Sequence, residues 1–243
     1  MSKRENSEFI FLLLAAIFIS SLIIGNIIGT SKFVTIFSLS GDLDFIPDIL
    51  KNSAGTYIMA VPVGILAYPI TFIATDLICE FYGKNRASKL VLVGFIMNLF
   101  MLILLTFGNL LPDASGVSGN ESLFSSLYDF MVANVIASML AYLIAQNIDV
   151  RLFHFFKRLT KGKYLWIRNN GSTMCSQLID SVCILSILYY SNSLGEDINS
   201  LFALFILILN SYLFKFFFAL FDTPIIYFFH YILKNKFSLK ASL

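Results

Sequence analysis

Charge is scarce in this sequence. Only 13% of the 243 residues are charged and 58% are hydrophobic, whereas soluble domains have about 25% charged and about 45–50% apolar residues. A single compact core of this size cannot bury so much apolar surface. The composition excludes a disordered chain and a nucleic-acid-binding protein with a basic face, and it argues strongly against a soluble globular enzyme.

Cysteine and histidine are also rare. The three cysteines form no CxxC pair, and the two histidines show no metal-ligand spacing. Neither a disulfide framework nor a zinc site is expected. The chain also contains no GxxxxGK(S/T), HExxH or GxSxG motif, so nothing in it predicts an ATP site, a zinc protease or a serine hydrolase. We expect no metal, no cofactor and no nucleic-acid partner.

What the sequence does contain is long hydrophobic segments. Six of them reach the length of about 20 residues that a helix needs to cross a bilayer. They cover residues 9–30, 57–81, 87–111, 123–148, 172–191 and 201–233. We therefore predict an all-α, polytopic integral membrane protein with six transmembrane helices, surrounded by lipid and forming one domain over residues 1–243.

The basic residues predict the orientation of these segments. They cluster before the first segment, between the second and third, between the fourth and fifth, and after the sixth, while the other connections carry mainly acidic residues. Because cytoplasmic loops are enriched in Lys and Arg, both termini are predicted to be cytoplasmic. On the outer side, the β-rich residues 32–45 are expected to form a short hairpin or a re-entrant piece.

Acidic side chains within the second segment are candidate functional groups, because a charge in a membrane span is costly. Helical spacing places Phe72, Asp76 and Glu80 on one face. Pro62 and Pro69 lie on the same face and interrupt the helical hydrogen bonds. An alternative for Glu80 is that it ends the helix in the headgroup region.

The fifth and sixth segments carry further polar groups. Gln177 and Asp180 lie on a polar stripe of the fifth segment. Asp180 is either a functional carboxylate or a residue that forms a hydrogen bond between two helices. Lys215 and Asp222 are two turns apart, which separates them by about 10 Å and prevents direct pairing. We expect Lys215 to pair with Asp76 or Asp180.

The first segment combines an asparagine with a row of small residues. Asn26 either forms a polar contact between packed helices or contacts a ligand. Ser21, Gly25 and Gly29 are spaced four residues apart and permit close backbone approach. That approach can occur inside the fold, which we favour, or towards a second copy of the chain, which would give a homodimer.

Two motifs carry a family resemblance. D-x-x-x-E-x-Y-G runs from Asp76 to Gly83, and W-x-R-x-x-x-S-T-x-x-x-Q-x-x-D runs from Trp166 to Asp180. With Lys215 and a following Asp-Thr-Pro, they resemble the queuosine precursor transporter family, also classed as vitamin uptake transporters, over residues 26–227. The departures lie in the loops at 42–48 and 113–121, which affects expectations for the outer gate only.

The resemblance implies a multi-pass carrier of the bacterial cytoplasmic (inner) membrane that imports a 7-deazaguanine for tRNA queuosine salvage. The candidates are preQ0, preQ1 and queuine. A carboxylate can accept the ring N–H and exocyclic amine of such a base, an amide or ammonium group can donate to its carbonyl, and an aromatic ring can stack on it. The candidate binding residues are Asn26, Tyr68, Phe72, Asp76, Glu80, Trp166, Gln177, Asp180 and Lys215.

Other functions remain open from the sequence. The main alternative is the substrate-binding subunit of an energy-coupling-factor type vitamin importer, with the small-residue row of the first segment as the docking surface. An intramembrane enzyme with an Asp dyad and a structural adaptor are less favoured. For a stand-alone carrier, Asp76 or Asp180 can hold a proton in a low-dielectric cavity, so proton coupling is one hypothesis.

Overall fold

The computed structural model describes residues 3–28, 33–39, 57–112, 121–190, 200–235 and 237. Within these ranges the chain forms six α-helices, one 3-10 helix and one two-stranded antiparallel sheet. The elements are α1 (Lys3–Ile28), β1 (Phe33–Leu39), β2 (Tyr57–Pro62), the 3-10 helix (Val63–Ala67), α2 (Tyr68–Tyr82), α3 (Lys84–Leu110), α4 (Glu121–Leu159), α5 (Leu165–Tyr190) and α6 (Leu201–Asn235).

Five helices in the described part of the chain are long and apolar enough to cross a membrane. They cover Glu5–Ile28, Lys84–Leu110, Val135–Leu159, Leu165–Tyr190 and Leu201–Asn235. Large side chains such as Phe107 and Phe205 are exposed on their outward faces, as expected where lipid rather than water is the solvent. The prediction of a helical membrane protein is confirmed, with a small sheet added to the all-α class.

The second predicted span has a different structure from the continuous helix expected over residues 57–81. Residues 57–62 form β2, which pairs with β1, and the α-helix begins only at Tyr68 after a 3-10 turn. Proline explains where the break falls, since it removes a backbone donor. Pro62 ends the strand, while Pro69 lies in the first turn of α2, where its missing N–H leaves no hydrogen bond unmade.

The hairpin expected near residues 32–45 is therefore present in part. Its first strand is β1, but its partner is the start of the predicted second span rather than a neighbouring stretch of the loop. Residues 40–56 lie outside the described residues. The interruption of the second span by its prolines, predicted from the sequence, takes the form of this strand and the 3-10 helix.

Helices α4 and α5 extend well beyond the predicted segments. The α4 helix continues to Leu159 and α5 starts at Leu165, so their connection is only residues 160–164. Arg168 stabilises this turn, because its guanidinium donates to the carbonyl oxygens of Gly162 at 2.9 Å and Lys163 at 3.4 Å. Residues that hydropathy places in a loop are thus part of the helical bundle.

Helix α2 lies at the centre and packs against α1, α3, α4 and α6. Nearly all of its residues from Thr71 to Phe81 are buried. Gly83 follows with φ 82°, a conformation that side-chain-bearing residues rarely adopt, and α3 begins at once at Lys84. This corner fixes the end of α2 that carries Glu80.

The small residues of α1 are used inside the fold. A Cβ added at Gly25 would lie 3.0 Å from the Cβ of Ala67 and 3.4 Å from the carbonyl oxygen of Gly64. The α1 backbone therefore contacts the 3-10 helix directly, which confirms the internal interpretation at Gly25. Gly29 lies outside the described residues.

A substitution at Gly94 tests how closely α3 packs against α4. A Cβ there would lie 2.7 Å from the hydroxyl oxygen of Tyr142, which donates to the carbonyl of Val91 at 3.1 Å. Overpacking costs about 1–3 kcal/mol, so Gly94→Ala should lower the Tm in detergent by about 2–10 °C. The control is Gly108→Ala, whose Cβ meets only the tip of the Phe124 ring at 3.3 Å and should change the Tm less. Equal Tm values for both variants would contradict this packing.

Candidate functional site

The interior of the helix bundle is polar. The buried face of α5 consists of polar residues apart from Leu165, and charged side chains from α2, α4 and α6 meet it. The charged members of this interior are Asp76, Glu80, Asp149, Lys157, Arg168, Asp180, Lys215 and Asp222. Seven of them form three groups: an ion pair between α5 and α6, a carboxyl pair between α2 and α4, and a network around Glu80. The eighth, Asp222, belongs to none of these groups.

The first group is the ion pair of Lys215 and Asp180. The Lys215 Nζ lies 2.6 Å from Asp180 Oδ2, and the two side chains are 10% and 2% exposed. This confirms the expectation that Lys215 pairs with one of the two aspartates and identifies Asp180 as the partner. A short charge-assisted hydrogen bond of this kind joins α5 to α6.

Two small cavities lie on either side of Phe72. The first, here called the α1 cavity, is lined by residues that include Asn26, Gln146 and Asp180. The second, called the α6 cavity, is lined by residues that include Gln177 and Lys215. Phe72 lines both, so its ring separates them, together with the ion pair whose two members lie one in each lining.

The cavities are too small for any sizeable ligand in this conformation. The volume open to the centre of a water molecule is ≈ 20 Å³ in each. A volume of about 10–15 Å³ is the minimum for one water, so a bicyclic base does not fit either cavity alone. Entry of a substrate requires Phe72 or the surrounding helices to move, which would join the two spaces.

Several buried polar atoms around these cavities have no hydrogen-bond partner among the described residues. They include the Oε1 atoms of Gln146 and Gln177, Oδ1 of Asp76 and Oγ1 of Thr173. Buried polar groups are normally hydrogen-bonded. Most of these atoms are acceptors, so the interior is matched to a ligand that supplies N–H donors.

The second group is the carboxyl pair of Asp76 and Asp149. Both residues are buried, at 1% and 0% exposure, and their carboxyl groups lie close enough to interact electrostatically. The hydroxyl of Ser176 donates to Asp149 Oδ1 at 3.1 Å. Among the described Lys, Arg and His residues, none forms an ion pair with either carboxylate.

Asp149 is absent from the candidates drawn from the sequence, because the fourth segment was ended at residue 148. A signal for it exists. Tyr142, Gln146, Asp149 and Phe153 recur at helical spacing, and all four are buried. Spacing of three and four residues defines one helix face, so continuing the period past residue 148 would have found this carboxylate.

The third group surrounds Glu80, which is only 2% exposed. Its Oε1 accepts from Arg168 Nη2 at 2.7 Å, and its Oε2 lies 3.1 Å from Lys157 Nζ. His230 Nε2 is 3.8 Å from Oε1. The alternative in which Glu80 ends its helix in the headgroups is therefore wrong: it joins α2, α4, α5 and α6 in the interior.

An open cavity lies on the far side of this network. It is lined by Glu80 and by basic side chains that include Lys84, Lys157, Arg158 and Lys161. The Glu80 network thus separates the closed interior from an open basic end of the bundle.

The other contacts at this end bring the basic segments together. The hydroxyl of Tyr82 donates to the carbonyl of Ser7 at 2.7 Å, and Arg86 pairs with Glu8 at 2.9 Å. The start of α1, the α2–α3 corner, the α4–α5 turn and the end of α6 therefore share one end, as the charge pattern predicts.

The remaining candidates lie at different distances from the cavities. Asn26 lines the α1 cavity, but its amide is already bonded: it donates to Asn98 Oδ1 at 2.6 Å and accepts from Ser138 at 3.2 Å. Trp166 is 51% exposed and lines neither cavity, so the expectation that it stacks on a substrate is not supported by its position. Tyr68 starts α2, and its side chain lies outside the described part.

A substitution of Arg168 tests whether the Glu80 network stabilises the helix bundle. Removing one partner of a buried ion pair costs about 3–5 kcal/mol, and we expect the low end for Arg168→Met because Lys157 still faces Glu80. The control is Arg86→Met, whose pair with Glu8 is 44% and 49% exposed; exposed pairs contribute about 0–1 kcal/mol. Thermal unfolding in detergent should show a clearly larger loss for Arg168→Met. Similar losses would mean that the network does not hold the helices together.

Comparison with known proteins points to a transporter family. Residues 62–229 match the family described as "Putative vitamin uptake transporter". The chain is 29% identical over 132 residues to a "Probable queuosine precursor transporter" of Bacillus subtilis and 31% identical over 131 residues to one of Haemophilus influenzae. It is also 25% identical over 170 residues to a "Queuosine precursor transporter" of Escherichia coli.

The coverage of these matches is partial. They span 54%, 54% and 66% of this chain and 57%, 52% and 72% of the respective relatives. The chain thus spans about half the length of the first two relatives. No solved structure matches it significantly. The family match contains the three charged groups described above, whereas Asn26 lies outside it.

Proposed function

The chain belongs to the "Putative vitamin uptake transporter" family, and we propose that it imports queuosine precursors across the bacterial cytoplasmic (inner) membrane as a secondary carrier. The proposed substrates are the 7-deazaguanines preQ0, preQ1 or queuine, salvaged for tRNA queuosine. The names of the three relatives support this substrate class. The observation that carries it is the polar interior with unpaired acceptors beside Phe72.

The proposed topology has six membrane crossings with both termini in the cytoplasm. Five crossings are the long helices, and the sixth is formed by the 3-10 helix with α2. Irregular backbone at membrane depth is tolerated where protein covers it or a cavity adjoins it. Here the 3-10 helix packs against α1, and Ala67 lines the α1 cavity. The basic end then faces the cytoplasm by the positive-inside rule.

The substrate site we propose is the space made when the two cavities join at Phe72. Carrier and cofactor sites combine apolar walls with a few well-placed polar groups, and this space has that character. Phe72 offers an aromatic face for the planar base. Asp180 and Lys215 lie at its border, and the free amide oxygens of Gln146 and Gln177 add acceptors.

Asp180 is the carboxylate best placed to bind the edge of a 7-deazaguanine. Its side chain can accept the ring N–H and the exocyclic amine together, in the manner of a bidentate pair. Lys215, displaced from Asp180, can then donate to the neighbouring ring carbonyl. In this exchange each charge trades one partner for another, so neither is left buried and unpaired, which would be costly.

A stand-alone carrier is favoured over the substrate-binding subunit of an energy-coupling-factor importer. The docking surface suggested for that alternative was the small-residue row of α1, and Gly25 in this row is covered by Gly64 and Ala67 of the same chain. Uptake by purified protein in vesicles without ATP would exclude the alternative.

The function is tested in a bacterial host that cannot make queuosine precursors. The chain is expressed, preQ0, preQ1 or queuine is supplied at low concentration, and queuosine in tRNA is measured; the queuine arm needs a host with a queuine-inserting enzyme. We expect queuosine to return with at least one base. No return with any base, while the protein is present in the membrane, would contradict the proposed substrate class.

Phe72 tests the location of the site in the same assay. Phe72→Ala removes the aromatic face between the cavities, and loss of a stacking contact worth about 0.5–1.5 kcal/mol should raise the half-saturating concentration about 2- to 12-fold. The matched control is Phe217→Ala on α6, where the ring is 57% exposed, and it should transport like the unmodified chain. If the two variants behave alike, the substrate does not bind at Phe72.

A further inference from the structure

We propose that the Asp76–Asp149 pair is the site where the carrier binds the proton that drives import. The proposal deepens the proposed function and rests on it, because coupling presupposes a transported substrate. It selects one of the two carboxylates, Asp76 and Asp180, that the sequence left open, and it adds Asp149, which no motif identifies.

Two of the three other interior carboxylates that the structure describes, Asp180 and Glu80, are in ion pairs, and the third, Asp222, lines the α6 cavity. Asp180 has Lys215 at 2.6 Å, and Glu80 has Arg168 at 2.7 Å and Lys157 at 3.1 Å. Each of these two carboxylates therefore already has a cation as its partner. Asp76 and Asp149 have no such cation among the described residues, and in this proposal a proton takes its place.

The titratable neighbours of the pair include the Cys79 thiol on α2, and the nearby basic groups, Lys157 of α4 and Arg168 of α5, are bound to Glu80. On α2 the further charged group is Glu80, on α6 it is Asp222, and α5 contributes hydroxyl groups, of which Ser176 bonds Asp149 at 3.1 Å. Two buried carboxylates in contact cannot both ionise, because like charges repel strongly in a low dielectric. One proton held between them would relieve this repulsion.

The proton step balances without any other reactant. The pair alternates between a singly protonated state, with charge −1, and a doubly protonated neutral state. A proton from the outside medium converts the first into the second, and its release to the cytoplasm restores the first. One proton thus accompanies each cycle, and no bond other than O–H forms or breaks.

The position of the pair links this step to the substrate site. Asp76 lies one helical turn after Phe72 on α2, and Asp149 is bonded through Ser176 to α5, the helix that carries Asp180. Binding of the second proton would remove the last negative charge between α2 and α4, and would replace a charge-assisted hydrogen bond between the carboxyl groups by a weaker neutral one. The protonation state can therefore bias whether the helices around Phe72 are closed or separated.

The experiment separates exchange from accumulation in proteoliposomes. Tritium-labelled preQ0, preQ1 and queuine are tested in turn, first for counterflow without a gradient and then for uptake driven by an inward proton gradient. Asp149→Asn should keep counterflow within about threefold of the unmodified protein and lose gradient-driven accumulation at least tenfold. Exchange needs no net proton movement, whereas accumulation does.

Two further variants serve as controls. Ser176→Ala removes the hydrogen bond to Asp149 but keeps both carboxyl groups, so accumulation should persist. Asp149→Glu keeps an ionisable group and should recover accumulation in part. Persistence in Ser176→Ala would show that the carboxyl group, and not the packing around it, is required.

Each contrary result has a distinct meaning. Gradient-driven accumulation by Asp149→Asn at the level of the unmodified protein would overturn the proposal. So would equal loss of counterflow and accumulation, which would make Asp149 a structural or substrate-binding residue. If the unmodified protein exchanges a base but never accumulates it, proton coupling fails while the carrier function stands. If it does neither with any of the three bases, the proposed function itself fails.

Discussion

The whole interior follows from one constraint: a charge removed from water and lipid headgroups must find a partner inside the protein. Glu80 meets Arg168 and Lys157, and Asp180 meets Lys215. These contacts do more than neutralise charge, because they join α2 to α4 and α5, and α5 to α6. Helix packing in a membrane lacks a strong hydrophobic drive, so polar contacts of this kind determine which helices are neighbours.

The parts of the fold that could be predicted are those with a direct cause in the sequence. Lipid-facing side chains make hydropathy a reliable guide to the long helices, and proline explains the break before α2. The partner of Lys215 was narrowed to two aspartates because Asp222 is two turns away on the same helix. Each of these inferences uses only residues within one segment, so the sequence is sufficient to make it.

What hydropathy alone does not predict is which polar residues lie on the buried face of a helix. Hydropathy ends a segment at polar residues, yet Gln146 and Asp149 are polar because they face the protein interior, and α4 continues through them. Trp166 shows the same limit. Residues two apart differ by about 200° around a helix, so once Arg168 is buried, Trp166 has to face outward, whatever motif contains both.

The closed interior is incomplete, and this incompleteness is informative. Buried acceptors on Gln146 and Gln177 have no donor among the described residues, and leaving such a group unpaired costs about 1–3 kcal/mol. If these positions served only to pack the helices, apolar side chains in place of the amides would avoid this cost. Keeping them is reasonable if a ligand with N–H donors completes the site during transport. The same reasoning applies to the carboxyl pair, for which the proposed partner is a proton.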